Sequence, residues 1–391
     1  MRWCLWIILF ATTGLNHMAN ETTFRTWTDM ANRQIEAKFE AVEGTEVQLR
    51  LRNGQVVKVP IGGLSENDQA WILEWKNQSE DPYDGPPAEE DWPRNVNPSD
   101  NPTAEVISED EEKAEFIYES ENYRFVSDIQ LSTSLVREFS EVFETTLLVN
   151  SLLPLNLRPI PEPGREKFVA RIYRDPSEYE QVVGITGTAG VYSMLEREMR
   201  LPITSLGVKQ YGDKLTMDYN AENFATLIHE ITHQSMNRWL ARMPIWLIEG
   251  TAEYIELAEY DNGRFTFWRQ DDRLSALLAN RFGSPFRMLN LKRLMTLSPQ
   301  AWGAAVQAGA APTLYMSSLV MTYYFYHLDG EEDAKKIRAY FVAAEKMQRG
   351  DSIQALISEY LLRGRTYAEL EEEVVKAFRG KGIKIEFIEF Y

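Results

Sequence analysis

The stretch from Phe224 to His233 carries two histidines and one glutamate at helical spacing, a pattern that few folds accommodate. It reads His-Glu-Ile-Thr-His from His229 to His233, with Glu230 in second place. Residues four apart lie on one face of a helix, so both imidazoles can reach a single Zn²⁺ while Glu230 projects towards the same ion. We therefore predict a zinc site with His229 and His233 as ligands and Glu230 as the catalytic base.

The same stretch also has an apolar face. Phe224, Leu227, Ile228 and Ile231 repeat at i, i+3, i+4 and i+7, which is typical of a helix with one buried stripe. Asn220 suits the N-cap position ahead of it. The pattern predicts that the motif lies on a core helix. In the alternative interpretation, the two histidines are ordinary polar residues of a half-exposed helix.

A zinc site also needs a third protein ligand, and Glu249 is the candidate. Fifteen residues separate it from His233, enough for the chain to turn and return as a second helix that begins near Pro244. Glu253 lies one turn beyond Glu249 and is predicted to orient a ligand histidine by accepting its free ring N–H. Two alternatives stay open: Glu253 is the ligand in place of Glu249, or Glu253 and Glu256 form a solvated acidic face.

The two segments together resemble a known superfamily. HEITH followed by WLIEGTAEY is similar to the gluzincin superfamily of zinc metallopeptidases, which pair HExxH with a glutamate on a following helix. The resemblance implies a thermolysin- or aminopeptidase-like zincin fold, with His229, His233 and Glu249 as metal ligands and Glu230 as the base. It implies that Glu253 orients a ligand histidine. The gap between the second histidine and the glutamate is shorter here than in the best-known gluzincins, which implies a tighter loop.

A tyrosine further along the chain is a candidate for the oxyanion site. The segment 312–320 resembles the gluzincin aminopeptidase segment in which a tyrosine opens a helix and points at the reacting carbonyl, and Tyr315 takes that place. A phenol that donates to the developing oxyanion suits this chemistry. The alternative is that Tyr315 is core packing, as most aromatics at such spacing are, and that Tyr323, Tyr324 or His327 has the role.

A strand pair is predicted upstream of the motif helix, at 187–194 and 199–203. The first of these segments, with its Ala-Gly-Val-Tyr-Ser sequence, resembles the edge strand of bacterial peptidase-like proteins, against which an extended peptide adds its main-chain hydrogen bonds. An ordinary hairpin is the alternative. Nothing matches the aminopeptidase segment that captures a free amino group, so exopeptidase specificity is not implied.

The N-terminus predicts export. Arg2 precedes an apolar run from Trp3 to Phe10, and Cys4, the single cysteine, lies within it. This form is typical of a secretory signal at 1–19, and the mature protein would have no thiol or disulfide. The predicted location is periplasmic, cell-surface or extracellular, in a bacterium. The alternative is an uncleaved anchor, the one predicted contact with a membrane.

Residues 20–78 are predicted to form a small β-barrel. Alternating segments at 35–39 and 47–51 are followed by Asn53-Gly54 and a third apolar run, which is a hairpin signal. The segment from RTWTDMANRQ to SENDQAWI resembles the Sla-homology type of small domain. The resemblance implies a fold and a module that binds an unidentified partner, while a spacer is the alternative.

Residues 79–115 are predicted to be an acidic, proline-rich linker. From 77 to 122 the chain has fifteen acidic residues against Arg94 and Lys113, and six prolines lie between Pro82 and Pro102. Such a composition predicts an extended, self-repelling segment. Most of the net charge of −18 therefore lies outside the catalytic domain. No basic stripe is evident, which argues against nucleic acid as a partner.

Residues 116–391 are predicted to be the catalytic domain, with an α+β fold in which a small sheet precedes the helices. The sequence thus predicts an exported metallopeptidase that uses Zn²⁺ to hydrolyse peptide bonds in a peptide or protein. The alternatives are a non-catalytic binding or scaffold protein with a peptidase-like domain, and a zinc hydrolase of a non-peptide substrate. The intact Glu230 favours an enzyme, because a scaffold has no need of a carboxylate beside the metal.

Overall fold

The structure is a computed structural model, which describes residues 24–389 apart from the gaps at 31, 44–45, 66, 70, 73–91, 99–101, 185, 194–195, 212–213, 218–220, 331–333 and 349. The predicted signal segment and the predicted cap Asn220 lie outside the described residues. The chain divides into two compact units. The smaller is built on the described residues of Thr12–Asp84, and the larger on those of Gly85–Met347 and Asp351–Tyr391.

The smaller unit is an antiparallel meander of four strands in the order β1-β2-β3-β4. These are β1 Arg25–Thr28, β2 Gln34–Glu43, β3 Glu46–Leu51 and β4 Val56–Pro60. The predicted Asn-Gly turn joins β3 to β4, with Gly54 at a φ of 86° that favours glycine. A bridge between Asp29 and Leu64 joins the two ends of the meander. The strands predicted for this region are confirmed.

The core of the smaller unit is aromatic. The Trp27 ring stacks on Phe39 with centroids 6.2 Å apart, and both contact Trp71. The Arg25 guanidinium lies 4.5 Å from the centroids of Trp27 and of Trp71 and pairs with the buried carboxylate of Asp68 at 2.5 Å. The arginine contacts both indoles, and its charge is paired with a buried carboxylate. It can therefore belong to the small core without leaving an unpaired charge there.

The larger unit contains a six-stranded sheet in the order β10-β11-β9-β8-β7-β6. The three central strands are parallel, and β10, β7 and β6 are antiparallel to their neighbours. The strands of this sheet are β6 Glu105–Asp110, β7 Glu115–Glu119, β8 Tyr123–Ser127, β9 Phe168–Tyr173, β10 Val191–Ser193 and β11 Glu198–Pro202. The strand pair predicted upstream of the motif helix is confirmed as β10 and β11.

Smaller sheets complete the strands of this unit. A three-stranded sheet has the order β14-β15-β5, and two further pairs are β12 with β13 and β16 with β17. Their bounds are β5 Asn95–Val96, β12 Val208–Tyr211, β13 Lys214–Met217, β14 Glu259–Asp261, β15 Arg264–Thr266, β16 Phe286–Leu289 and β17 Ile385–Ile388.

Helices dominate the second half of the unit. They are α1 Thr133–Leu152, α2 Pro176–Val183, α3 Ala221–Ser235, α4 Ile245–Glu256, α5 Gln270–Phe282, α6 Leu291–Thr296, α7 Pro299–Ala305, α8 Ala311–His327, α9 Lys335–Glu345, α10 Ile353–Leu356 and α11 Tyr367–Gly380. The motif helix α3 packs on the sheet, on α1 and on α4, and α4 packs on α8. The predicted α+β class is confirmed. Among the residues that the structure describes, no helix is long and apolar enough to cross a bilayer.

The prediction of a linker over 79–115 is wrong for the C-terminal part of that range. Within 79–115, Asn95–Val96 pairs with β15, and Glu105–Asp110 pairs with β7. Trp92 packs its ring 4.3 Å from that of His327 and 5.9 Å from that of Tyr254. The acidic composition gave no sign of these contacts, because one half-buried indole and main-chain pairing need no apolar run. Residues 79–91 lie outside the described part.

Candidate metal centre

The motif helix α3 is buried on both faces. Leu227, Ile228 and Ile231 belong to the hydrophobic core, and Phe224 packs against it half-buried. On the opposite face, Glu230 is 1% exposed and His233 is fully buried. The prediction of a core helix is confirmed. The polar face points not to solvent but towards α4, which begins after a short turn at Ile245.

The two histidines and Glu249 meet in this buried space. Oε2 of Glu249 lies 3.3 Å from Nε2 of His229 and 3.4 Å from Nε2 of His233. One ligand atom from each of the three residues lies within 4.8 Å of the other two. The structure thus brings together the three residues predicted as ligands. Two imidazole nitrogens and one carboxylate are a donor set typical of catalytic zinc sites.

Burial and charge act against each other on these three groups. Burial lowers the pKa of His229, but its hydrogen bonds to Glu249 and Glu256 outweigh burial and raise that pKa well above the usual value. At His233 burial prevails, and its pKa lies below the usual value. Burial raises the pKa of Glu249, yet the two histidines bring it down to about 2. The site therefore holds a buried anion that a proton on His229 or a divalent cation can neutralise.

One oxygen of the ligand carboxylate supports the fit to a cation. Oε1 of Glu249 is buried and has no hydrogen-bond partner among the described residues. A buried carboxylate oxygen without a partner is costly unless a ligand satisfies it. The donor types, the burial and this oxygen all fit a zinc ion held by His229, His233 and Glu249.

The carboxylate that contacts the far side of His229 is Glu256. Its Oε2 lies 3.0 Å from Nδ1 of His229. Glu253 is the residue predicted to orient His229. It is half-buried and lies close to His229 and Glu256, but its side chain makes no hydrogen bond to any described residue. Burial and the neighbouring Glu256 raise the pKa of Glu253, so its neutral form is favoured. A neutral acid is a poorer acceptor for the imidazole N–H than a carboxylate.

Tyr315 lies beside His229. It is 2% exposed, and its ring contacts that of His229 edge-on with centroids 6.3 Å apart. The ring of Trp302 also contacts Tyr315, with centroids 5.6 Å apart. A π-helical turn with Gly309 at a φ of 89° precedes α8 and brings Tyr315, on the second turn of that helix, to the site.

The other candidates for the oxyanion role lie elsewhere. Nε2 of His327 is hydrogen-bonded to the Tyr254 hydroxyl at 2.9 Å, and the ring packs among Trp92 and Tyr323. Tyr324 points to an ion-pair cluster around Asp329. Neither makes a described contact with the ligand histidines. Of the tyrosines considered, Tyr315 is the one whose ring touches His229.

A glycine beside the ligand glutamate lets two helices meet. A Cβ on Gly250 would lie 2.1 Å from Oγ1 of Thr322 and 2.5 Å from the carbonyl oxygen of Ser318. The side chains of α8 that face this point are small, and Thr251 hydrogen-bonds the Tyr326 hydroxyl at 2.7 Å. The close crossing of α4 and α8 places Glu249 and Tyr315 around the same space.

The edge strand β10 runs past the predicted base. A Cβ on Gly190, which immediately precedes β10, would lie 3.2 Å from Cγ of Glu230. Within the described residues, β10 pairs with β11 alone and is the last strand of its sheet. Its outer edge therefore carries main-chain N–H and C=O groups that no described strand pairs.

Comparison with known proteins identifies one segment of the chain. Residues 16–80 match the model of SLA1 homology domain 1. The match confirms the predicted N-terminal domain and covers the strands of the smaller unit. A search of curated proteins found no match to the chain. The SLA1 homology segment accounts for less than a fifth of the sequence, and the metal centre lies outside it.

Two residues of the site escaped the sequence reasoning. Glu256 follows Glu249 by seven residues, which is two helical turns, and that i+7 spacing was the available signal. Gly190 had no signal of its own, since nothing in the sequence shows that β10 lies against Glu230. Such contacts depend on how a strand and a helix pack, which spacing along the chain does not encode.

Proposed function

We propose that the larger unit is a zinc-dependent peptidase of the gluzincin type, acting on extended peptides or unfolded protein segments. The observation that carries this proposal is the buried trio of His229, His233 and Glu249, whose ligand atoms lie within 4.8 Å of one another. Glu230 lies on the same helix as the two histidines, and its side chain is buried. A site that holds a metal for structure alone needs no such carboxylate.

Each residue has a task in this reaction. A bound Zn²⁺ supplies a Lewis acid and lowers the pKa of water at the site. Glu230 accepts the proton of the attacking water and then delivers it to the leaving amine. Tyr315 donates a hydrogen bond to the developing oxyanion. Glu256 holds the His229 ring, and the free edge of β10 aligns the substrate by main-chain hydrogen bonds.

The sequence also bears on where the protein works and on the role of its N-terminal domain. The apolar run from Trp3 to Phe10 after Arg2 favours export, and the single cysteine lies inside that run, as suits a protein that works in an oxidising compartment. The SLA1 homology segment would then bind a partner or surface while the larger unit cleaves. The zincin relationship of the larger unit is part of this proposal and rests on the HEITH and WLIEGTAEY motifs.

Metal content is the first test. We expect purified protein to contain about one zinc ion per chain, by the three-ligand logic of catalytic sites. The measurement is elemental analysis after dialysis, with His233→Ala beside the wild type. Zinc that stays stoichiometric in His233→Ala, or that never binds to the wild type, would contradict the site.

Hydrolysis is the second test. Glu230→Gln should keep the zinc and lose turnover of unfolded protein substrates, because the amide cannot accept the proton. Glu372→Gln, an exposed carboxylate of α11, is the matched control and should turn over normally. Equal activity of wild type and Glu230→Gln would remove Glu230 as the base. Zinc binding without turnover of any peptide would favour the scaffold or a non-peptide hydrolase.

A further inference from the structure

The segment that leads into β10 is fastened to α2 at two points. The main-chain N–H of Gly187 donates to Oε1 of Glu180 at 2.7 Å. The hydroxyls of Thr188 and Tyr179 lie 2.7 Å apart, and both residues are buried. We call residues Gly187–Gly190 the strap. These two hydrogen bonds fix the path of the chain just before the edge strand β10.

At its far end the strap passes against Glu230. Gly190 is buried, and a Cβ on it would lie 3.2 Å from Cγ and 3.7 Å from Cβ of Glu230. The carbonyl oxygen of Arg200 would be 3.5 Å from the same Cβ. A carbon contact of 3.2 Å is tighter than most packed side chains adopt, and Glu230 is buried. A side chain at position 190 therefore requires Glu230 to shift by a few tenths of an ångström.

We propose that Gly190 is a positioning residue for Glu230, and that the strap sets the orientation of the catalytic base from the sheet side. This inference rests on the proposed function. The main chain at Gly190 lies against the Cβ and Cγ of Glu230, so in this proposal it limits the positions that the Glu230 carboxylate can take beside the two histidines. The strap therefore couples the edge that receives the peptide to the group that transfers the proton.

The expected consequence is a loss of rate without a loss of metal. A displacement of 1 Å at a catalytic group costs about 100-fold in rate, and a Cβ at Gly190 requires a few tenths of an ångström. We therefore expect Gly190→Ala to lower kcat by roughly 10-fold, with a smaller change in KM. Zinc affinity should stay within a few-fold, because Glu230 is not a ligand.

The experiment compares Gly190→Ala with Gly380→Ala in the full-length zinc protein. A Cβ on Gly380 would meet nothing within 4 Å, so this control reports the general effect of an added methyl group. The measurements are zinc content, melting temperature, and kcat and KM on an unfolded protein substrate. A kcat for Gly190→Ala that equals the control would overturn the inference, as would a loss of zinc that explains the loss of rate.

A second variant covers the case in which Gly190→Ala does not fold. Thr188→Val removes the hydrogen bond to Tyr179 and adds no atom beside Glu230, so the strap loosens while the base is untouched. We expect a lower kcat with zinc retained. Unchanged turnover in a folded Thr188→Val protein would also count against the strap.

A spectroscopic measurement separates this inference from the proposed function. In the cobalt-substituted protein, the visible absorption band reports the surroundings of the metal without any turnover. We expect Gly190→Ala to shift the band relative to wild type and Gly380→Ala to leave it unchanged. If the wild type binds metal but cleaves no peptide, the proposed function fails while the band still tests the positioning. An unshifted band would overturn the inference alone.

Discussion

At the scale of single residues, the arrangement around His229 decides how the site works. Its two ring nitrogens face different carboxylates: Nε2 lies 3.3 Å from Glu249, and Nδ1 lies 3.0 Å from Glu256. An imidazole fixed by a carboxylate at one nitrogen presents the other nitrogen to a metal in a single tautomer and orientation. In the proposed site we therefore expect Glu256, and not Glu253, to orient the His229 ring.

This assignment predicts a ranking of two neighbouring variants. Glu256→Gln should weaken zinc binding by about 10- to 100-fold, the usual effect of losing a carboxylate that orients a ligand histidine. Glu253→Gln should have a smaller effect, because Glu253 favours its neutral form and donates or accepts no described side-chain bond. Competition with a chromophoric chelator gives both affinities. The reverse ranking would return the role to Glu253.

A second prediction concerns the hydroxyl of Tyr315. Tyr315→Phe keeps the ring and its contacts with His229 and Trp302, so the variant should fold and bind zinc normally. Its kcat should fall by roughly 10²–10³-fold, as for the loss of one oxyanion donor, with KM changing less. Steady-state kinetics on one peptide substrate measure this, with Tyr324→Phe as the control. Turnover within a few-fold of wild type would make Tyr315 a packing residue.

At the scale of elements, the crossing of α4 and α8 builds the site. Glu249 lies on one of these helices and Tyr315 on the other, and Gly250 lies at their closest approach. The apolar sequence of α8 indicates a buried helix, but it does not show which helix packs against it. Helices that are apolar all round carry no stripe that points to a neighbour. Small residues such as Gly250 and Ser318 set the contact.

The close crossing of α4 and α8 predicts that one methyl group added at Gly250 destabilises the fold. Gly250→Ala should lower the free energy of unfolding by about 1–3 kcal/mol or more, because the Cβ overlaps the backbone of α8 and overpacking is not relieved by a rotamer change. Chemical denaturation of the apo protein measures this, with Gly380→Ala as the reference. Equal stability of the two variants would mean that the helices separate at little cost.

The aromatic cluster around His327 predicts a pH dependence. Burial lowers the pKa of His327 from 6.5 to about 3, with a smaller contribution from Lys381. The folded protein keeps this ring neutral while the unfolded chain takes up a proton below pH 6.5, so the stability it contributes is complete above pH 6.5. It declines as the pH falls towards 3.

His327→Gln in apo protein tests this sign. The variant removes the titrating group, so its free energy of unfolding should fall less than that of the wild type between pH 6.5 and 4. Urea denaturation at several pH values supplies the comparison, and the use of apo protein excludes a contribution from metal release. A parallel decline in both proteins would show that His327 titrates alike in the folded and unfolded states.

At the scale of the whole molecule, the division into a small N-terminal unit and a larger C-terminal unit was predictable from composition. The hairpin signal at Asn53-Gly54 and the acidic stretch after it mark the two parts. The end of the linker was not predictable. Trp92 packs on His327, more than 230 positions away, and long-range contacts of this kind leave no periodic signal.

This boundary predicts a proteolysis pattern. The first cuts should fall between 79 and 91, where prolines and acids alternate, and not beyond Trp92, which is packed. The C-terminal fragment should retain zinc, and the N-terminal fragment should be stable on its own. Mass spectrometry of fragments from brief digestion with a nonspecific protease locates the cuts. Early cleavage between β6 and β7 would contradict the boundary.

The far edge of the six-stranded sheet, at β6, affects how this protein associates with other chains. The residues of β6 are exposed or half-exposed, three of them are acidic, and a bulge at Ile107 interrupts its pairing pattern. Negative charge and a broken ladder discourage a second strand from adding there. If the larger unit acts on unfolded chains, as proposed, it meets strands that can add to any exposed sheet edge and cause aggregation. Repulsion at β6 would then leave β10 as the edge at which an extended peptide can add.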